Sequence, residues 1–350
     1  MKRKLFLLQK RINVVLKDKN KKKFLQILKE AIIFWIVKKE FPNFYFGKFL
    51  YREDITNYKD YLSSKEIDKV TLSKNLHHFQ YTSLLRNKLA FAYYMEHNSL
   101  PVPSLVSHNL ENRFFFKTKV FSVYNKLDLV AFFETVFKET KRENLFVKEI
   151  DEMCGNGCYL ITKQTLKEDM DRYGDMILKS DFIHQERVIQ HPHINSMYAH
   201  SLNTIRFDTY VDVENEVHIL AAFMRFGRGG SVVDNTSQGG FFVPVDVEKG
   251  KLKGKSLLQM KYGGEQLTEH PDTNTVFDNF EIPFYQESLE LVKKAVTFIP
   301  DRIIGWDIAI SENGPVVIEG NDNNSFVTSD MAYGGYLKHP IFKEIIEEAY

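Results

Sequence analysis

Residues 305–321, Gly-Trp-Asp-Ile-Ala-Ile-Ser-Glu-Asn-Gly-Pro-Val-Val-Ile-Glu-Gly-Asn, set two carboxylates and an amide on apolar, β-forming runs. Glu312-Asn313-Gly314 is a turn signal with glycine where a positive φ is needed, and Pro315 restarts the chain as a strand. A hairpin closing symmetrically about Asn313 puts Asp307 opposite Glu319, with Cβ atoms roughly 4.5–5.5 Å apart. Asn321 lies two positions further and points to the same face. Like charges so opposed are costly unless a cation sits between them. The donors are hard oxygens, which favour Mg²⁺ or Mn²⁺ over zinc. Asp307, Glu319 and Asn321 are therefore expected to hold a metal, and Asp307→Asn is expected to leave the metal-free fold near intact. A surface hairpin of solvated acids is the alternative. The run Val316-Val317-Ile318, which reads as buried on both faces, argues against it.

Three further stretches carry chemistry. Residues 145–161 run from a strand through Lys148 and a turn holding Gly155 and Gly157 into a second strand. Glycines let a backbone approach an anion and offer it N–H groups, and an ammonium beside them pairs with phosphate. No helix with a GK[ST] start follows, so this is not a Walker loop. Residues 181–207 hold four histidines without a zinc-ligand spacing. There Gln185-Glu186-Arg187-Val188 offers backbone groups and the Glu186 carboxylate to an adenine edge. Arg206 and Asn203 are placed for a phosphate or carboxylate, or Arg206 simply pairs with Asp208 or Glu214. Residues 224–246, rich in glycine, contain Arg225 and Arg228. The stretch is too long for a tight turn and reads as a loop closing over an anionic substrate.

The elements that must position these groups are mixed. The chain has 350 residues, 43% hydrophobic and 27% charged, with a formal net charge of +1. That is enough for two or three subdomains and gives no sign of nucleic acid as a partner. The two cysteines, Cys154 and Cys158, fit a reducing, cytoplasmic setting and read as small loop residues. Helices are expected over 54–98, 128–140, 165–173, 285–298 and 340–348. Strands are expected near 113–117 and 145–150, then over 176–182, 203–213, 216–227, 240–246 and in the 303–320 hairpin. No regular βαβ alternation appears, so the fold class is α+β. Residues 1–40 are basic, and Phe24, Leu25, Leu28, Ile32, Trp35 and Ile36 form a stripe at helical spacing. Two readings stay open: the stripe packs on the rest of the protein, or it lies on an anionic membrane surface.

The motifs "NKLAF" (87–91), "LFVKE" (145–149), "QERVIQH" (185–191), "HSLNTIRF" (200–207), "RFGRGGSVVDNTSQGG" (225–240) and "IGWDIAI…GPVVIEGN" (304–321) occur in an order that resembles the sugar-transfer-associated family of the ATP-grasp superfamily. The resemblance covers roughly residues 85–330. It implies an ATP-grasp fold of two α+β subdomains gripping ATP: a lid over 85–185 and a core over 186–350, after a helical, basic region over 1–84. It implies ATP and Mg²⁺ (or Mn²⁺) as cofactors, with the last hairpin holding metal and the Lys148 hairpin covering phosphates. By the same resemblance Gln185 to Val188 form the adenine hinge, Lys88 is a second nucleotide-contacting lysine, and His191 is a candidate for the ribose. The activity implied is a carboxylate–amine ligation through an acylphosphate, with Arg206, Arg225 and Arg228 as catalytic residues. A small carboxylate, such as a uronic acid, and an amine are the substrates implied, in surface polysaccharide synthesis. Two alternatives remain: a kinase acting on a sugar hydroxyl, and a non-catalytic nucleotide-binding partner of a glycosyltransferase. The oligomeric state is left open.

Overall fold

Apolar runs of the middle and C-terminal thirds fold into two antiparallel sheets in the computed structural model, which describes residues 11–152, 157–324 and 326–349. The first sheet comprises β1 (Leu105–Leu110), β2 (Arg113–Phe116), β3 (Lys119–Ser122), β4 (Asn144–Glu149), β5 (Cys158–Thr162) and β6 (Phe182–Gln185), in the order β3-β2-β1-β6-β4-β5. The helices Lys126–Thr140 and Leu166–Ile177 pack on it through Phe132, Phe133, Val136 and Met170 against Phe114, Val147 and Ile161. Asn125 starts the first of these helices, its side chain accepting from the backbone N–H groups of Leu127 and Asp128, which satisfies two donors that a helix start leaves unpaired.

The expected strand over 176–182 is not found; the helix runs on to Ile177, and the strand begins at Phe182. Gly174 reads as a helix breaker, yet here it lets two helices meet. A Cβ at this position would lie 3.2 Å from Lys126 Cγ and 3.4 Å from Leu129 Cδ2.

The second sheet holds β7 (Thr204–Val211), β8 (Val217–Phe226), β9 (Phe241–Asp246), β10 (Lys251–Leu252), β11 (Leu257–Leu258), β12 (Ile303–Ser311) and β13 (Gly314–Asn321). Its order is β10-β9-β8-β7-β12-β13, with β11 paired to β9. Both faces are covered. The helices Tyr285–Val296 and Lys88–His97 pack on one side around Phe207, Met224 and Ile308. The helices Phe326–Tyr333 and Pro340–Glu348 pack on the other, around Tyr210, Leu220 and Ile303. Two-sided burial explains why β7 and β12 read as continuous apolar runs with single charges embedded in them.

The N-terminal part is helical around its own core of Phe34, Tyr45, Phe49, Leu50 and Tyr51. It is bound to the rest by a buried Lys48–Asp330 ion pair; Asp330 also accepts from the N–H groups of Leu62 (3.0 Å) and Tyr336 (2.7 Å). In the helix Phe24–Lys38 the inward residues are Ile27, Ala31 and Phe34. The stripe of Phe24, Leu25, Leu28, Ile32, Trp35 and Ile36 points outward, so the core-packing reading does not hold. No helix among the described residues is long and apolar enough to cross a membrane.

Candidate functional site

Asp307 and Glu319 are paired across β12 and β13, and Asn321 pairs with Gly305 two steps on. Closure is not symmetric. A two-residue turn pairs Ser311 with Gly314, whose φ is +127°, and Ile308 pairs with Val317. Ile318 is the extra residue of a β-bulge that restores the Asp307–Glu319 register. Bulges re-aim side chains, and both Ile318 and Glu319 line the cleft between the sheets.

The electrostatics correct the idea that the acid pair must await a cation. Asp307 also pairs with Arg206 of β7, which donates to it from Nε at 2.6 Å and Nη2 at 3.1 Å. Arg225 of β8 adds a contact from Nη2 at 2.8 Å. Burial raises the Asp307 pKa, but the two guanidiniums outweigh it and hold the carboxyl below its usual range. Glu319 is different: it makes no ion pair among the described residues. Burial, and then Asp307, push its pKa up.

Arg225 is shared further, donating to Thr204 Oγ1 at 2.6 Å and lying 3.5 Å from Asp234. Asp234 accepts from the N–H and hydroxyl of Thr204 at 2.9 and 2.6 Å. Burial raises the Asp234 pKa, opposed by Arg225. Asp234 and Thr204 are site residues that sequence reasoning missed. Only the Asp-Asn tip of the glycine-rich stretch hinted at the first.

Lys148 projects from β4 into the same cleft, its Nζ 5.5 Å from the centroid of the Phe146 ring. No carboxylate among the described residues lies within ion-pairing distance of it, and burial lowers its pKa. Lys88 reaches the hairpin from the start of its helix and donates to the carbonyls of Ile150 (3.1 Å) and Glu152. Gly157 has φ +63°, and a Cβ there would fall 2.7 Å from Glu149 Oε2, so only glycine fits that turn. Gly155 and Cys154 lie outside the described residues.

From this charged end, a cavity of about 150 Å³, the cleft continues into one of about 370 Å³; Phe146, Leu202, Val233 and Ile318 border both. These apolar walls were not foreseen. Gln185 borders both as well, its amide donating to Pro103 O at 2.9 Å. The backbone groups of Arg187 and Val188, which edge the larger cavity, have no hydrogen-bond partner among the described residues.

Four expected residues are engaged elsewhere. The Glu186 carboxylate accepts from Ser104 N at 3.1 Å and pairs with Arg142 at 3.2 Å, so its side chain is committed although its backbone edges the cavity. His191 caps the helix Pro192–Met197 by accepting from His193 N, and its ring meets Phe284. Asn203 is fully buried and ties Gln190, Tyr198 and Ser201 together, holding the loop before β7. Arg228 donates to Gly239 O at 3.0 Å inside its own loop and does not border the cleft.

Of the three expected metal donors, Asp307 and Glu319 line the cleft and Asn321 does not. Glu319 is uncommitted, and the Asn321 amide N–H is turned to Gly305 O at 3.3 Å, leaving its oxygen available. Each Asp307 oxygen, though held by guanidinium, keeps acceptor capacity. No group of three His, Cys, Asp or Glu that could hold a metal occurs among the described residues. The protein donors alone would not complete an octahedral shell, as expected for Mg²⁺ shared with phosphates and water.

This arrangement belongs to a known class. The sequence profile of the sugar-transfer-associated ATP-grasp family matches residues 69–345, and the chain is a member of that family, with its fold. Among solved structures it is similar to the D-alanine–D-alanine ligase of Bacillus anthracis, at 10% identity and a TM-score of 0.46, covering 83% of this chain and 75% of that one. D-alanyl-alanine synthetase A of Vibrio cholerae matches at 10% identity and a TM-score of 0.44, over 78% and 66%. An N5-carboxyaminoimidazole synthase from Aspergillus clavatus, solved with ADP and 5-aminoimidazole ribonucleotide, matches at 10% and 0.41, over 71% and 47%. The chain spans about half the length of the N5-carboxyaminoimidazole synthases that it matches. No curated protein matches it in sequence.

Proposed function

We propose that the chain is an ATP-dependent, ADP-forming carboxylate–amine ligase. A substrate carboxylate oxygen attacks the γ-phosphorus of ATP and ADP leaves. The amine then attacks the acyl carbon, phosphate leaves, and the nitrogen gives up a proton. Phosphoryl transfer needs positioning and charge neutralisation more than covalent help from the protein, and the cleft contains cations and acids in that proportion.

The observation that carries this reading is one continuous cleft with unlike ends. Its apolar end, bounded by Phe146, Leu202 and Ile318, borders the unpaired backbone groups of Arg187 and Val188, which suit the face and edge of a base. Its polar end gathers Lys88, Lys148, Arg225, Asp307 and Glu319. Lys148 meets phosphate charge without having to leave another partner. Arg206 and Arg225 fix the Asp307 carboxylate in place, and Arg225 presents its remaining donors to the cleft. A Mg²⁺ or Mn²⁺ ion held by Glu319 and Asp307 would neutralise phosphate charge there. Val232 to Asn235 wall the cleft on the loop side, where they would keep water from an acylphosphate. A sugar acid joined to a small amine, in surface polysaccharide synthesis, is the substrate setting we infer; the family description supports it only as far as sugar transfer.

The test is ³¹P NMR with mass spectrometry on purified protein given ATP, Mg²⁺, a panel of uronic acids and a panel of amines. ADP, free phosphate and an amide, formed only when acid and amine are both present, support ligation. A stable phosphomonoester would make the protein a kinase. Nucleotide binding without turnover across the panel would leave a binding partner of another enzyme.

A further inference from the structure

Ten of the twenty-three exposed large apolar side chains among the described residues fall within residues 12–41. Six of them share one face of the helix Phe24–Lys38: Leu25 is 78% exposed, Ile36 69% and Trp35 51%, with Phe24, Leu28 and Ile32 beside them. So concentrated a patch marks a contact surface rather than scattered surface apolarity.

Charge decides what the surface contacts. Arg11, Lys17, Lys19, Lys23, Lys29 and Lys39 are all exposed around it. The three acids of residues 11–41 are each engaged: Asp18 pairs with Arg52, Glu30 with Lys22, and Glu40 accepts from Ser64. The fully exposed charges within residues 11–41 are thus all cationic; half-buried Glu40, and Glu53 and Asp54 beside Asn20, add negative charge only at the margin. Residues 1–10, outside the described residues, hold Lys2, Arg3, Lys4 and Lys10 in the sequence. An apolar face rimmed by unpaired cations complements an acyl-chain layer beneath anionic headgroups. A groove of about 380 Å³ opens in the same surface, lined by Ile12, Val15, Leu16, Phe24 and Leu28, with Arg11 and Lys21 at its edge. An aliphatic chain with an anionic head matches that lining.

We propose that residues 11–41 dock the protein on an anionic lipid bilayer, with an acyl chain of that bilayer seated in the groove. The chain carries its own reporter. It has two tryptophans, Trp35 at the surface and Trp306 fully buried. Trp35 lies 5.9 Å, centroid to centroid, from Phe41 of the groove wall. Full-length protein is titrated with phosphatidylcholine vesicles and with mixed phosphatidylcholine–phosphatidylglycerol vesicles, in each case with acyl chains plain or brominated. Each lysine near an anionic surface contributes about fivefold in partitioning. The anionic vesicles are therefore expected to bind at least tenfold more tightly, to shift Trp35 emission to the blue and, when brominated, to quench it. The variant Ile32→Glu/Ile36→Glu, altered only at exposed positions, is expected to lose at least about tenfold in partitioning. It should keep Trp306 emission and ADP binding. Deleting residues 1–40 is the poorer test, because it removes Phe34 and Ala31 from a core. Absence of quenching, equal affinity for neutral and anionic vesicles, or undiminished binding by the double variant overturns the proposal. So does a lipid-free self-association that already shields Trp35.

Discussion

Asp307→Asn and Glu319→Gln are chemically alike, yet the structure expects opposite effects in the protein free of metal and nucleotide. Asp307 is the counter-ion of both Arg206, which is buried, and Arg225, whose side chain is 14% exposed. Its neutralisation leaves two guanidiniums without that charge, and breaking a buried pair in this way costs about 3–5 kcal/mol. With an unfolding entropy of about 2.1 cal/mol/K per residue, a chain of this length should melt roughly 4–7 °C lower. Glu319 has no such partner and faces Asp307, so Glu319→Gln removes a repulsion and is expected to leave the melting temperature unchanged or raised. The pH profiles separate the two further. The Asp307 carboxyl is held below 3.8, so its contribution is present above that value and lost as pH falls through the lowered one. The Glu319 carboxyl is held above 4.5, so its contribution is full below 4.5 and lost as pH rises through the raised one. Wild-type protein should accordingly lose stability above about pH 4.5 that Glu319→Gln retains. Differential scanning calorimetry in chelator-containing buffers from about pH 2 to 8 covers both windows. The reasoning fails if Asp307→Asn melts with the wild type, or if Glu319→Gln is equally destabilised.

Lys148→Met should weaken ADP binding by at least about tenfold, the contribution of a charge-assisted contact, while the nucleotide-free protein melts no lower. Wild-type affinity by isothermal titration calorimetry would remove Lys148 from the nucleotide site. His191→Ala should leave ADP affinity unchanged and lower the stability by about 1 kcal/mol through the lost helix cap, read as a denaturant midpoint. A tenfold fall in ADP affinity would return His191 to the cleft.

The hairpin acids were legible because period-two alternation and a turn signal are local, and Lys148 because it interrupts an apolar strand beside glycines. What answers the charge on Asp307 was not legible. Arg206 lies 101 residues away and Arg225 on the next strand, and no local pattern states which strands will be neighbours. Asp234 and Thr204 meet only because a loop folds back on a strand end. Ile318 reads as a buried strand residue, and Phe146 and Leu202 drew no reading as cleft walls, because a cleft wall and a core draw on the same side chains. Asn203 and His191, by contrast, have the right chemistry in the right segment, and local hydrogen bonds claim them. The helix Phe24–Lys38 misled differently: it is apolar on two faces, and spacing alone does not say which one the fold covers.

Counting along the last hairpin gives a consequence of its bulge. Across the two-residue turn, partners such as Ser311 and Gly314, Ala309 and Val316, or Ile308 and Val317 differ by an odd number of positions. Asp307 and Glu319 differ by twelve, so parity alone forbids their pairing in an unbroken ladder. Excising Ile318 would keep every charged side chain of the site, at the loss of one apolar wall, and bring Glu319 into line with Asp307 only at an odd separation of eleven. Inserting one residue anywhere between the bulge and the turn would instead rotate the glutamate to the opposite face, among the apolar side chains of the helices beneath. Relatives of this chain can therefore be sorted by arithmetic: an even interval between the two acids demands either a bulge or a three-residue turn.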